Sequence, residues 1–104
     1  MQPVHVLAFI TTKPGMRDAV LEAFRANVPN VHAEDGCEVY VPTTDHADAG
    51  PIQTKLGDDT FVVVEKWSSL DALKAHGAAP HMASYAAKVK DMLANRVIHV
   101  LSEA

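Results

Sequence analysis

Two hydrophobic periods divide this chain. Val4 to Thr12 alternates, with Val4, Val6, Ala8 and Ile10 on one face and His5, Leu7, Phe9 and Thr11 on the other. Alternation of this kind predicts a strand. Both sets are largely apolar, so both faces of this strand are expected to be covered. Lys13-Pro14-Gly15 reads as a turn. Met16, Ala19, Val20, Ala23, Phe24, Val28 and Val31 then recur at spacings of three and four, the stripe of an amphipathic helix running to about His32. Pro29 falls inside it and predicts a kink or a restart near Asn27. Gly36 closes the segment, and Cys37 to Pro42 predicts a second strand, with Cys37, Val39 and Val41 on one face and Glu38 and Tyr40 on the other.

Thr43 to Asp59 is polar and rich in Gly, Pro and Asp, longer than a hairpin loop, and reads as either a lid or a surface excursion. Thr60 to Trp67 alternates again: Phe61, Val63, Glu65 and Trp67 against Val62, Val64 and Lys66. Ser68, with Asp71 three residues on, reads as a capping box opening a short helix that packs Leu70, Leu73 and Gly77 and leaves His76 at its edge. Pro80 is suited to the first position of a further helix. Its stripe, Met82, Tyr85, Ala86, Val89, Met92 and Leu93, extends it to about Asn95, and Val97 to Leu101 is the last strand.

Strand, helix, strand, strand, helix pair, strand predicts an α+β fold of the ferredoxin-like kind: a four-stranded antiparallel sheet with helices on one face. The 104 residues make one domain, since a second would have no core of its own. The bare sheet face would show Val, Leu and Phe to water, so a homodimer pairing two sheets around a barrel-like interior is expected.

Composition narrows the function. Nine basic against 13 acidic residues give a net charge of −4, which argues against nucleic acid as a partner. Lys88, Lys90 and Arg96 form a diluted basic patch that reads as a solvated helix face. No apolar run is long enough for a membrane span, and MQPVHVLAF lacks the basic and small-residue marks of a signal peptide. The lone Cys37 fits a reducing cytoplasm, and between acidic Asp35 and Glu38 it reads as inert.

No nucleotide-binding, nucleophile-elbow or Cys-x-x-Cys motif is present in the sequence. The candidate chemistry lies between Phe61 and Tyr85. Trp67 is a core tryptophan or a pocket wall for a planar ligand. Glu65, between Val63 and Trp67, is either an edge-exposed or ion-paired residue or a buried acid with a raised pKa. His76 and His81 flank the helix break. Their spacing matches no common zinc pattern, so no metal is expected. Each is a structural hydrogen-bonding histidine or a general base or donor toward a phenol. His81 and Tyr85 share a helix face. Tyr40 reaches either the same cavity or a dimer seam. His5 and His99 sit in neighbouring strands as structural histidines.

Glu65-Lys66-Trp67-Ser68-Ser69, Ala72-Leu73, His76 and Pro80-His81 resemble the E-x-W-x-S…A-L-x-x-H…P-H pattern of the antibiotic biosynthesis monooxygenase family. Lys13-Pro14-Gly15 and Glu34-Asp35-Gly36-Cys37 agree with it, and the resemblance covers nearly the whole chain, nearest to small stand-alone quinol monooxygenases. It implies a dimeric α/β barrel. It also implies oxidation of a quinol, phenol or small aromatic by O2 without a cofactor. On that view His76, His81 and Glu65 are the catalytic candidates, and Trp67, Tyr85, Tyr40 and Phe9 the substrate-binding ones. The competing expectations are a non-enzymatic dimer binding a small aromatic, and a haem-degrading monooxygenase. The absence of Asn from the first strand speaks against the latter.

Overall fold

The strand β1, Val4–Thr12, is the spine of the molecule, and a computed structural model describes the chain over residues 2–104. It is followed by α1 (Arg17–His32), β2 (Cys37–Thr43), β3 (Thr60–Trp67), α2 (Leu70–Gly77), α3 (Pro80–Val89), a 3-10 turn (Lys90–Met92) and β4 (Leu93–Leu101). The strands pair antiparallel in the order β2-β3-β1-β4, so β1 and β3 are internal and β2 and β4 are edges. This is the expected ferredoxin-like sheet.

Register sorts every strand residue onto a face. Val6 lies opposite Glu65 and Val100, Ala8 opposite Val63 and Ile98, and Ile10 opposite Phe61 and Arg96. This face carries the helices. Val20, Phe24 and Val31 of α1 and Val89 of α3 are buried against it. Each such side chain contributes roughly 1.5–3 kcal/mol when fully buried. Phe24 is the hub: it stacks on Tyr40 (centroids 5.2 Å, 12°) and meets Phe61 and Tyr85 edge-on, both at 5.8 Å. The other face presents Leu7, Phe9, Val64, Val41 and Val97, with Val41 and Val97 still 45% and 42% exposed.

Four local readings are corrected. The helix α1 runs unbroken through Pro29 without a restart. The proline falls in the last turn, where only one ladder hydrogen bond is forfeited. The cap of α2 is Ser69, whose Oγ accepts from the Ala72 amide at 3.1 Å; Ser68 instead donates its amide to the Gly36 carbonyl at 2.8 Å. The last helix ends at Val89, not near Asn95, and β4 begins at Leu93, not Val97. Lys13 donates to the Met92 carbonyl (2.9 Å) and Thr12 pairs with Leu93, so the long β1 draws 93–96 into the ladder despite their helical composition. Finally, a bulge between Cys37 and Val39 turns Cys37 from the Val39 side to the helix-bearing face, opposite Trp67.

The stretch between β2 and β3 is tied at its base. Asp45 accepts the amides of Leu56 (2.9 Å) and Gly57 (3.0 Å), bonds that hold its carboxyl below the usual range. Asp59 accepts the Gly15 amide and Arg17 reaches the Gly57 carbonyl, fixing the stretch to the turn after β1.

Candidate active site

The helices do not cover the sheet evenly. Between α3 and the β1–β4 half of the sheet lies a cavity of about 760 Å³. Its walls are mostly aliphatic, including Val6, Ala8, Ile10, Met82 and Leu93. A volume of this size suits a small aromatic ligand. Residues 43–59 contribute nothing to its lining, so that stretch is a surface excursion rather than a lid over this cavity.

One end of the cavity is polar. His76, expected at the edge of α2, is instead buried, while Leu70 is half exposed. Capping by Ser69 sets the phase of the short helix and turns His76 inward. Its ring lies on Trp67 (centroids 4.7 Å, 35°) and meets Tyr40 at 5.3 Å. His76 Nδ1 donates to Glu34 Oε2 at 2.8 Å. A carboxylate only accepts, so the proton sits on Nδ1 and Nε2 is left as the basic nitrogen. His76 lines the cavity, and Nε2 has no partner among the described residues.

Glu34 also stands 3.4 Å from His81 Nε2, while Asn27 donates to His81 Nδ1 at 3.1 Å. One carboxylate thus gathers both histidines. The sequence marked Glu34 only as part of the turn before β2. Glu34 and His76 are 42 residues apart, and nothing in one sequence signals their meeting. The turn itself is built tightly: Gly36 has φ +85°, and a Cβ there would stand 2.5 Å from Ser68 Oγ and 2.7 Å from the Ala72 Cβ. Glycine is what lets the Glu34 turn dock against the start of α2.

Glu65 projects from β3 into the same end. It is buried, and Trp67 Nε1 donates to its Oε1 at 3.0 Å. Burial raises its pKa, outweighing the opposing pull of the Trp67 hydrogen bond and of His76, while Glu34 adds to the rise. The rise gives the protonated form, which can donate, a larger share than in a free carboxyl at the same pH. Tyr40 and Tyr85 also line the cavity. Burial pushes the Tyr85 hydroxyl up to about 12 and the Tyr40 hydroxyl higher still, so both remain neutral donors. Cys37 is also pushed up, by burial and then by Glu34 and Glu65.

His76, Glu65, Tyr40 and Tyr85 therefore meet in one cavity. Trp67 does not line it; fully buried, it backs Glu65 and His76 from behind. His81 faces a smaller groove between α1 and α3, together with Tyr85, Asn27 and Lys88. Phe9 lies on the opposite sheet face, edge-on to His99 at 5.8 Å, because its strand is apolar on both faces and alternation alone does not choose between them. Lys90 and Arg96, read as a solvated helix face, line the large cavity instead. Among the described residues no cluster of three or more His, Cys, Asp or Glu could hold a metal ion.

An antiparallel ferredoxin-like sheet that walls an apolar cavity ending in a histidine–carboxylate pair defines an α+β domain with one candidate site. The chain belongs to the antibiotic biosynthesis monooxygenase family, whose pattern it matches over residues 3–88. It is 40% identical over 98 residues to the "Probable quinol monooxygenase YgiN" of Escherichia coli K12, covering 92% of this chain and 93% of that protein. The fold is shared with PA3566 of Pseudomonas aeruginosa (TM-score 0.81, 27% identity, 100% of this chain and 96% of that one). It is shared also with Rv0793 of Mycobacterium tuberculosis (TM-score 0.78, 29% identity, 98% and 95%). Among the described residues no helix is long and apolar enough to cross a membrane.

Proposed function

We propose that this protein is a cofactor-independent monooxygenase that oxidises a quinol, phenol or similar small aromatic with O2. The observation that carries the reading is the polar end of the cavity: a histidine with Nδ1 tied to a carboxylate, beside the neutral Tyr40 hydroxyl and a buried Glu65 whose pKa is raised. His76 Nε2 takes the phenolic proton, and Glu34 stabilises the imidazolium that results. Tyr40, together with Glu65 in its protonated form, hydrogen-bonds the phenolate, and aliphatic walls limit its contact with water. The electron-rich phenolate is the reductant. For a hydroquinone with an open ring carbon, hydroquinone plus O2 gives hydroxyquinone plus water. The ring supplies all four electrons, one oxygen atom enters the ring and the other leaves as water, so no external reductant is needed.

Trp67 acts in this scheme by holding Glu65 and bearing on the His76 ring. The apolar sheet face around Val41 and Val97 is assigned to a homodimer, in keeping with the apolar side chains it leaves exposed. The single Cys37 fits a reducing cytoplasm. The test is oxygen uptake with an anaerobically prepared naphthohydroquinone, superoxide dismutase being present to suppress autoxidation. Turnover that falls roughly 100-fold or more in His76→Ala, by the usual worth of a general base, is expected. Uptake no faster than the protein-free rate overturns the reading.

A further inference from the structure

The cavity has two unlike ends. Glu65 and His76 define one, with Glu34 behind them. Lys90 and Arg96 stand at the other, and they come from different elements, the 3-10 turn and β4. Neither has an ion-pair or hydrogen-bond partner among the described residues, in a chain whose net charge is −4. Two cations that line the same apolar cavity without a protein partner raise the local concentration of anions there, and low-dielectric walls focus their field into the space between.

Register fixes the separation. Glu65 lies opposite Val6 on β1, and Arg96 lies opposite Ile10. They are thus offset by four residues along the sheet and two strands across it. At ~3.4 Å per residue and ~4.8 Å per strand, their Cα atoms are about 17 Å apart. A carboxylate carried by the ligand would lie close to the Glu34 carboxylate at the His76 end, whereas the charged residues that line the cavity away from that end are Lys90 and Arg96. The cavity therefore orients a ligand as well as containing it.

We propose that the preferred ligand is an aromatic phenol or hydroquinone that also carries a carboxylate remote from its hydroxyl. The hydroxyl sits at His76 and the carboxylate between Lys90 and Arg96. The hydroxyl's place rests on the function proposed above; the charge preference does not require turnover. A fused two-ring aromatic with the two groups at opposite ends, lengthened by a hydrogen bond of about 2.9 Å at each end, spans the cavity once the long Arg96 side chain turns inward.

The test is calorimetric titration at low ionic strength with three probes: a hydroxynaphthoate bearing its groups at opposite ends, its methyl ester, and the isomer with the groups on adjacent carbons. The end-to-end acid is expected to bind roughly tenfold tighter than its ester, as a charge-assisted contact provides. That ratio is expected to fall to about one in the Lys90→Gln, Arg96→Gln double variant, and the adjacent isomer is expected to gain nothing from its charge. Both substitutions are at exposed positions, and circular dichroism checks the fold. An ester that binds as tightly as the acid, a ratio that survives in the double variant, or no binding of any probe overturns the proposal. Tight, charge-dependent binding without oxygen uptake would instead overturn the oxidation and leave this selectivity standing.

Discussion

Replacing Glu34 probes the site at its least obvious member. In Glu34→Gln the side chain keeps its length, and its amide oxygen still accepts from His76 Nδ1, so orientation survives while the charge is lost. In Glu34→Ala both go. At 2.8 Å and an effective dielectric of ~20, the attraction between the carboxylate and an imidazolium is roughly 6 kcal/mol before desolvation. Measured charge-assisted hydrogen bonds retain about 1.5–3 kcal/mol of such attraction. If His76 gains its charge in the rate-determining step, that range corresponds to a loss of about 10- to 150-fold in kcat, with the glutamine variant near the lower bound. Stability gives a second measure. The alanine variant leaves the 8% exposed His76 side chain without its Nδ1 partner, which costs about 1–3 kcal/mol and lowers Tm by roughly 5–20 °C. The assays are oxygen-electrode kinetics with a naphthohydroquinone and thermal unfolding by circular dichroism. A folded Glu34→Gln protein with kcat within twofold of the parent would refute the assignment of Glu34 to the chemistry.

Three further outcomes are expected. Gly36→Ala forces a Cβ against Ser68 and Ala72 at a positive φ and is expected to cost about 2–4 kcal/mol in denaturant unfolding; a neutral result would mean the turn relaxes freely. Glu65 has a raised pKa in the fold, so the folded state holds its proton more firmly than the unfolded chain. Its contribution is present below the ordinary carboxyl value and is lost as pH rises through the raised one. Glu65→Gln is therefore expected to gain Tm relative to the parent as pH climbs from 4.5, and a gap that shrinks with rising pH would contradict this. Val41→Asp with Val97→Asp places two carboxylates on the bare sheet face and is expected to give a monomer in analytical ultracentrifugation; a parent already monomeric at micromolar concentration would remove the dimer.

The fold was legible because its patterns are strong where burial is one-sided. The three-four stripe of α1 and the alternation of Phe61, Val63, Glu65 and Trp67 each pointed to the correct buried face. Legibility failed where tertiary pairing overrode local preference. Residues 93–96 look helical alone, and only the length of β1 makes them strand. The face of Cys37 was misread because a bulge, which composition does not announce, breaks the period of two. Glu65, His76, Tyr40 and Tyr85, singled out by their residue types and by the family resemblance, line one cavity, although the helix pattern left His76 at an edge rather than buried. Phe9 was misplaced because β1 is apolar on both sides, and Glu34 was passed over because a turn carboxylate looks solvated until the fold brings a histidine to it.

The strand order has a consequence for how such a protein can be altered. Glu65 and Trp67 hang from β3, held on both sides by β2 and β1, whereas Arg96 and Ile98 hang from β4, an edge strand held by β1 alone. Side chains on an outer strand can be exchanged without disturbing a neighbour beyond it. The proposed reacting end of the cavity is thus anchored in the part of the scaffold least tolerant of change, and the proposed carboxylate-binding end in the part most open to it. A library restricted to positions 90, 96 and 98 is expected to change what the cavity accepts while leaving the Glu34–His76–Glu65 cluster intact.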